Sequence, residues 1–162
     1  MSNKIYKTNA ARLLDKAGIP YRLIPYPVDE NNLDARHVAD ALGEDISCVF
    51  KTLVLEAVPA AHFVCVIPGD KEVDLKKAAK IAGAKKADLI PMKTLLPTTG
   101  YIRGGCSPIA MKKSFPTFIH ESALACPEIF VSAGVRGLQL EISPSDLIGF
   151  VGGTVASVAC SD

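Results

Sequence analysis

A single lysine, Lys51, interrupts the apolar run VFKTLVL at positions 49–55. The run predicts a β-strand in which Val49, Lys51 and Leu53 share one face. Both faces are otherwise apolar, as in a central strand that is covered on both sides. An ammonium group there is costly unless it meets an anion, hydrogen-bond acceptors or a wet cavity. Lys51 is therefore a candidate functional cation, and the alternative is a lysine that protects an edge strand from aggregation.

A glycine-rich segment, TTGYIRGGCSPIA at positions 98–110, is a second candidate. Gly100, Gly104 and Gly105 would allow the backbone to approach a ligand closely and to turn N–H groups toward it. The spacing from Gly100 to Gly105 is similar to part of a phosphate-binding loop, but Cys106 stands where that loop requires lysine. The segment therefore argues against a nucleoside triphosphate site, and a plain surface turn is the alternative to a ligand loop.

Small residues in VSAGVRGLQL, at positions 131–140, form a third candidate. Ser132 and Gly134 stand at the end of a predicted strand, where small side chains can line a pocket. A serine nucleophile would need a G-x-S-x-G elbow or a positioned histidine, and the sequence gives neither signal. A hairpin turn is the alternative interpretation.

The five cysteines and three histidines lack the spacing of a metal site or a disulfide framework. The cysteines, at positions 48, 65, 106, 126 and 160, are odd in number and form no C-x-x-C pair. We therefore expect small buried thiols in a reducing compartment. The sequence predicts neither a metal nor a cofactor.

Length and composition predict one compact domain over residues 1–162, because 49% of the residues are hydrophobic and 22% are charged. No apolar stretch approaches the ~20 residues that cross a bilayer. The N-terminal sequence has no signal-peptide pattern, so we expect a cytoplasmic protein.

The net charge of +1 hides an uneven distribution. Positions 71–113 contain ten basic and three acidic residues, which gives +7, and the remainder has eight basic and fourteen acidic residues, which gives −6. A neutral protein with one basic tract suggests an anionic partner.

The elements that must position these candidates are short and clearly bounded. We expect helices after the N-caps Thr8, Asp34 and Asp74, and another after Ser143-Pro144. The predicted strands cover positions 21–26, 49–55, 62–67, 117–120, 129–132 and 138–142. The pattern predicts an α/β or α+β domain, with short helices around a mixed, strongly curved, barrel-like sheet.

Four motifs, in their order and spacing, resemble the bacterial cysteinyl-tRNA(Pro) deacylases. They are FKTLV at 50–54, KKAAK at 76–80, TGYIRGGCSP at 99–108 and VSAGVRGL at 131–138. These deacylases are free-standing, YbaK-type relatives of the editing domain inserted in many prolyl-tRNA synthetases. The resemblance runs from about residue 8 to residue 158. It implies the YbaK fold and trans-editing hydrolysis of cysteinyl-tRNA(Pro), or of cysteinyl-tRNA(Cys), without a metal.

The resemblance also implies roles for particular residues. Lys51 falls on the family's essential lysine, and Thr52 beside it faces the site. Tyr26 falls on the pocket tyrosine of the family, and Ser132 falls on its pocket serine.

Gly104 and Gly105 fall on the loop whose main chain holds the substrate near its ester. The chain departs from the common pattern at Cys106, Ala110 and Gln139. Some relatives have an acid at the last of these positions, and Gln139 leaves open any role that an acid would play.

An aminoacyl ester is already activated, so an enzyme needs chiefly to position it and to stabilise the developing oxyanion. Lys51 and the N–H groups around Gly104 and Gly105 are suited to this task. The resemblance implies that the thiol of the substrate itself attacks the carbonyl, which is consistent with the absence of any recognisable protein nucleophile.

The resemblance further implies contact with the acceptor end of tRNA, whose phosphates basic side chains can bind without reading sequence. The candidate lysines are Lys76, Lys77, Lys80, Lys112 and Lys113. Prolyl-tRNA synthetase is a candidate partner that the sequence leaves open. The alternatives are a deacylase for another substrate, such as alanyl-tRNA(Pro), and a non-catalytic nucleotide- or RNA-binding module.

Overall fold

The structure is a computed structural model that describes residues 7–59 and 61–160. The expected limits of the domain, at residues 1 and 162, lie outside these ranges. The α-helices are α1 (Asn9–Ala17), α2 (Ala35–Leu42), α3 (Leu75–Ile81), α4 (Leu95–Thr99) and α5 (Pro144–Val151). The strands are β1 (Arg22–Pro25), β2 (Phe50–Val58), β3 (Ala61–Pro68), β4 (Lys86–Leu89), β5 (Thr117–His120), β6 (Ile129–Ser132), β7 (Leu138–Ile142) and β8 (Thr154–Ala156). Short 3₁₀ turns cover Ile46–Cys48, Met92–Thr94 and Glu121–Ala125.

The predicted helix starts are confirmed. Thr8, Asp34 and Asp74 occupy N-cap positions, and each side chain accepts a backbone N–H from its own first turn. Ser143 is the N-cap residue of α5 but its side chain makes no capping bond. Its hydroxyl instead lies 3.1 Å from that of Ser145.

The strands form two sheets. The smaller has the order β1-β7-β6 and is antiparallel throughout. The larger has the order β4-β2-β3-β5-β8, with antiparallel pairing from β4 to β3 and parallel pairing from β3 to β8. The predicted mixed α/β class is confirmed.

The expected strongly curved, barrel-like sheet is wrong, because both sheets are open. Closure would require outer strands to pair with each other, whereas β1 pairs only with β7 and β8 pairs only with β5 among the described strands. A bridge between Val49 and Phe130 joins the start of β2 to β6. The sheets therefore meet at one corner without forming a closed ring.

The main core lies between the two sheets. Alternation along β2 divides its side chains, so that Val54 enters this core and Leu55 packs on the opposite face of the larger sheet. There, α3 covers the sheet with Ala78 and Ala79. Strand β2 is thus covered on both faces, as its apolar sequence predicts.

The outer edge of β2 has a gap at Thr52. The bridge to Phe130 occupies the edge at Val49, and the Ile90 N–H donates to the Val54 carbonyl over 3.1 Å. Because alternate residues of a strand direct their backbone groups to the same side, those of Thr52 point outward with those of Val54. Strand β4 pairs with β2 only from Leu55 onward. In the described part of the chain, no strand therefore pairs with Thr52 on the side away from β3.

Two cysteines that the sequence analysis treats as thiols are paired. Cys48 and Cys126 form a disulfide, with Cα atoms 6.0 Å apart and a sequence separation of 78 residues. Cys48 ends the turn Ile46–Cys48 and Cys126 follows the turn Glu121–Ala125, and strands β2 and β6 bring these turns together at the bridge. The expectation of unpaired thiols is therefore wrong for this pair, and Cys65, Cys106 and Cys160 are free.

Candidate functional site

A cavity of about 520 Å³ opens at the gap in the edge of β2. Its walls come from the start of α2, the first half of β2, the segment that follows β4, and the loop after α4. The lining residues are Leu33, Asp34, Ala35, Val38, Val49, Phe50, Lys51, Thr52, Leu53, Val54, Gly69, Leu89, Ile90, Met92, Leu95, Arg103, Gly104, Cys106 and Gln139. The cavity is mostly apolar with a few polar groups, which is typical of a small-molecule site.

Lys51 brings a positive charge to this cavity. Its side chain is partly buried, and its Nζ donates to the Gly69 carbonyl over 3.2 Å. Burial lowers the pKa of Lys51, and the carboxylates of Glu72, Asp70 and Asp34 oppose that effect. No described carboxylate forms an ion pair with Lys51, so its N–H groups remain available to a ligand.

The acceptor of Lys51 is held by two elements. The Gly69 N–H donates to the Val49 carbonyl over 2.8 Å, which extends the pairing of β2 with β3. A Cβ atom on Gly69 would collide with the Cβ of Ala35 at the start of α2. Only glycine therefore allows this loop to pass against α2 and place its carbonyl beside Lys51.

Thr52 and Gln139 line the cavity, and each carries a buried side-chain oxygen that is unsatisfied. Gln139 is 5% exposed, and neither its Oε1 nor the Oγ1 of Thr52 has a hydrogen-bond partner in the described structure. Buried polar atoms without partners are rare in folded proteins, and they need an explanation such as a bound ligand. Gln139, whose role the sequence leaves open, is thus a candidate site residue in addition to those predicted. The available signal was a polar side chain alternating with Leu138 and Leu140 in an otherwise buried strand.

Ser132 lies next to Gln139 but does not line the cavity. The two residues are directly opposite each other in the β6–β7 pairing. The Ser132 hydroxyl accepts the Gly134 N–H over 3.1 Å, which shapes the turn that follows β6. Tyr26 also stands behind the cavity wall, in an apolar cluster with Val38, Val49 and their neighbours.

The two glycines of the predicted ligand loop have different environments. Gly104 lines the cavity and has a φ of 83°, a conformation that favours glycine. Gly105 is buried, and its N–H donates to the Ile102 carbonyl over 2.9 Å. Gly104 and Cys106 therefore line the cavity, whereas Gly105 packs against Val135 and Arg136.

The predicted ligand loop and the β6–β7 turn contact each other. The Arg136 Nε donates to the Arg103 carbonyl over 2.9 Å. Arg103 is exposed and lines the cavity, so this contact lies at the exposed side of the cavity lining. Neither arginine is among the predicted site residues, although Arg103 stands in the glycine-rich segment and Arg136 in VSAGVRGLQL.

Cys106 is a thiol rather than a thiolate at neutral pH. Burial raises its pKa to about 12. Its side chain is thus an apolar part of the wall and not a nucleophile.

The five candidate lysines are exposed, and none lines the cavity. Lys76, Lys77 and Lys80 project from α3, whereas Lys112 and Lys113 follow the glycine-rich loop. Lys112 Nζ donates to the Pro97 carbonyl over 3.4 Å. The structure therefore separates these lysines from the cavity lining.

Residues 7–59 and 61–160 contain no group of three or more His, Cys, Asp or Glu side chains that could hold a metal ion. Over the same ranges, no helix is long and apolar enough to cross a membrane.

Comparisons with known proteins relate this sequence and fold to a family. Residues 29–150 match the aminoacyl-tRNA editing domain. The chain is 44% identical over 156 residues to EbsC of Enterococcus faecalis, a candidate Cys-tRNA(Pro)/Cys-tRNA(Cys) deacylase, covering 96% of this chain and 95% of that protein.

Solved structures have the same fold. The hypothetical protein APE2540 gives a TM-score of 0.84 at 25% identity, covering 92% of this chain and 97% of that one. A candidate trans-editing enzyme for prolyl-tRNA synthetase gives a TM-score of 0.82 at 21% identity, covering 96% of this chain and 100% of that one. The match to the family over most of the chain, together with the nearly full-length likeness to EbsC, means that this protein belongs to the aminoacyl-tRNA editing domain family.

Proposed function

We propose that this protein is a trans-editing hydrolase that cleaves the aminoacyl ester of cysteinyl-tRNA(Pro), with cysteinyl-tRNA(Cys) as a further substrate. The observation that carries the proposal is the 44% identity to EbsC over nearly the whole of both chains. We further propose that one editing domain spans residues 1–162. A tRNA substrate is consistent with the expected cytoplasmic location.

Lys51 is the proposed catalytic cation. Its Nζ is directed to the cavity wall by one carbonyl, that of Gly69, and retains further N–H donors. In a partly buried, mostly apolar cavity, an ammonium group stabilises the developing negative charge on an ester oxygen more strongly than it would in water.

Backbone donors of the glycine-rich loop are the proposed second part of the oxyanion site. Gly104 and Cys106 line the cavity, and their N–H groups have no hydrogen-bond partner among the described residues. Loss of one donor of this kind typically lowers the rate by about 10²–10³.

Thr52 and Gln139 are proposed to bind the polar atoms of the aminoacyl group. Both residues line the cavity, and each has a buried oxygen without a described partner that can accept a hydrogen bond from this ammonium group once its side chain turns toward the cavity. Ser132, Gly134 and Tyr26 are proposed to support this wall, since they pack beside or behind residues that line it.

The substrate thiol is the proposed nucleophile. Its sulfur gives up its proton and attacks the ester carbon, the bond from that carbon to the ribose oxygen breaks, and the ribose oxygen takes up a proton in place of the one that the thiol released. The cyclic thioester that forms is then opened by water. This route needs no protein nucleophile, and the buried Cys106 thiol is not suited to be one.

The exposed lysines are proposed to contact the tRNA body. Phosphate contacts position a nucleic acid rather than take part in the reaction. Reversing the charges of Lys76, Lys77 and Lys80 should therefore weaken tRNA binding and lower the slope of log affinity against log salt by about 0.7–0.9 for each contact. An unchanged slope would show that these three lysines only form a solvated surface and do not contact tRNA. Prolyl-tRNA synthetase is proposed as a partner that supplies tRNA selectivity, which co-purification of the two proteins can test.

The decisive experiment is single-turnover deacylation of cysteinyl-, seryl- and alanyl-tRNA(Pro) by one preparation. A pocket alone distinguishes a methylene or a hydroxyl by only about 1–3 kcal/mol. We therefore expect the cysteinyl ester to react more than about a hundredfold faster, since only it carries the thiol. Comparable cysteinyl and alanyl rates would favour a broad, water-using deacylase. Binding of tRNA without hydrolysis of any ester would favour a non-catalytic RNA-binding module.

A further inference from the structure

Two arginines meet at the mouth of the cavity. Arg103 lines the cavity, and its carbonyl accepts the Arg136 Nε–H over 2.9 Å. A Cβ atom on Gly104 would lie 3.4 Å from Arg136 Nε and 3.4 Å from Leu33 Cδ2. The Arg136 side chain therefore packs over the same glycine that borders the cavity, next to its apolar rim.

Within the described ranges, neither guanidinium is neutralised by a carboxylate. No carboxylate in residues 7–59 and 61–160 forms an ion pair with Arg103 or Arg136. Arg136 uses its Nε in the loop contact, which leaves its terminal nitrogens free, and the Arg103 side chain has no hydrogen bond among the described residues. Among the described residues, both side chains thus keep free donors close to Gly104, and forked donors of this kind are suited to phosphate.

We propose that Arg103 and Arg136 bind the phosphate on the 5′ side of the terminal tRNA nucleotide. This inference rests on the proposed function, because that function places the ester of the terminal ribose inside the cavity. The 5′ phosphate of the same nucleotide then lies about one ribose away from the ester, near the mouth.

The position of the pair distinguishes it from the lysines. None of Lys76, Lys77, Lys80, Lys112 and Lys113 lines the cavity, whereas Arg103 does. A phosphate held at the rim fixes the nucleotide whose ester must reach Lys51, so it aligns the reacting bond. Contacts made far along the acceptor stem position the ester less directly.

The test uses two small substrates that differ by one group. The cysteinyl ester of adenosine lacks a phosphate, and the cysteinyl ester of 5′-AMP carries it. We expect the phosphate to raise kcat/KM at least about tenfold in the wild type, mainly through KM, which corresponds to about 1.4 kcal/mol. In Arg103→Gln the ratio between the two esters should fall to about threefold or less.

Arg103→Gln is the primary variant because its side chain takes no part in holding the loop. Arg12→Gln is the matched control, since Arg12 is an exposed arginine on α1, outside the cavity lining. It should preserve the wild-type ratio. Arg136→Lys keeps the positive charge but loses the two parallel donors of the guanidinium group. It should reduce the ratio of kcat/KM between the two esters without abolishing the difference.

A binding measurement separates failure of this inference from failure of the proposed function. Calorimetry with the non-hydrolysable 3′-cysteinylamido analogue, with and without the 5′ phosphate, reports the phosphate contact without any chemistry. An equal phosphate effect in the wild type and in Arg103→Gln, in binding and in hydrolysis, overturns the inference alone. Phosphate-dependent binding with no hydrolysis of either ester supports the phosphate site and refutes the deacylase.

Discussion

A Cβ atom on Gly105 would lie 3.2 Å from the backbone nitrogen of Arg136. The glycine-rich loop and the β6–β7 turn therefore touch backbone to backbone, although 31 positions separate these two residues in the sequence. With the Arg136–Arg103 hydrogen bond, this contact fixes the loop that carries Gly104 to the edge of the cavity.

Gly105→Ala should destabilise the protein and impair hydrolysis. The added methyl would crowd the backbone of Val135 and Arg136, and overpacking of this kind costs about 1–3 kcal/mol. Chemical denaturation measures the free energy of unfolding. Gly149→Ala is the matched control, because nothing lies within 4 Å of its added Cβ inside α5. It should be neutral or stabilising by up to about 1 kcal/mol. Equal stability of the two variants would contradict the tight contact.

Lys51→Met should reduce deacylation at least about a hundredfold and leave the fold intact. Burial lowers the pKa of Lys51 in the folded protein, so the charged form costs stability below that pKa. As the pH rises toward about 10.4, the pKa of lysine in the unfolded chain, the buried ammonium of the wild type loses its proton and this destabilisation disappears. The variant should thus be at least as stable as the wild type near neutral pH, with a difference that shrinks at alkaline pH. Melting curves across pH test this, and activity within about threefold of wild type would contradict the catalytic role.

Gln139→Leu should increase stability while weakening catalysis. The substitution keeps a similar volume and removes a buried oxygen that has no partner, whose desolvation costs about 1–3 kcal/mol. If the oxygen serves the substrate, kcat/KM should fall at least about tenfold. Ser132→Ala gives the contrast, because it removes the acceptor of the Gly134 N–H and should lower stability. Unchanged kcat/KM in Gln139→Leu would assign the amide a structural role only.

Cys106→Ala should retain most of the activity. Burial raises the pKa of this thiol to about 12, so it contributes no thiolate at neutral pH. Activity should also survive chelation, which tests the expectation of a metal-independent reaction. A loss on chelation that zinc restores would refute this expectation.

The disulfide can be tested by counting thiols. Denatured, unreduced protein should label at Cys65, Cys106 and Cys160, and reduction should expose two more thiols. Reduction should also lower the melting temperature, because closing a loop of this length stabilises by up to about 4 kcal/mol in the chain-entropy model. Five reactive thiols before reduction would show that Cys48 and Cys126 are not linked.

Local signals predict most of the elements. The caps of α1, α2 and α3 depend on residues within one turn, and the sequence displays them directly. Strand β4 was not predicted, since only Ala87 of its four residues is buried and no alternation is visible. Strand β8 is three residues long and forms by pairing with the distant β5.

Long-range relationships account for what the sequence does not predict. The two apolar faces of β2 predict that this strand is covered on both sides. They do not predict that β4 stops short of Thr52 and leaves a gap in the edge of β2. Cys48 and Cys126 become neighbours only when β2 and β6 meet. The missing hydrogen-bond partner of the Gln139 oxygen is likewise a property of the packed protein, because only the folded structure shows which groups lie near this oxygen.

The gap at Thr52 has a consequence for hydrogen exchange. The amide of Thr52 belongs to a strand that is covered on both faces, yet it lies on the outer edge of β2 where no described strand pairs with it, beside the cavity that Thr52 lines. Its exchange with solvent should therefore not require global unfolding, unlike that of amides paired between β2 and β3. A ligand that fills the cavity would slow this exchange, which makes a single backbone amide a reporter of occupancy.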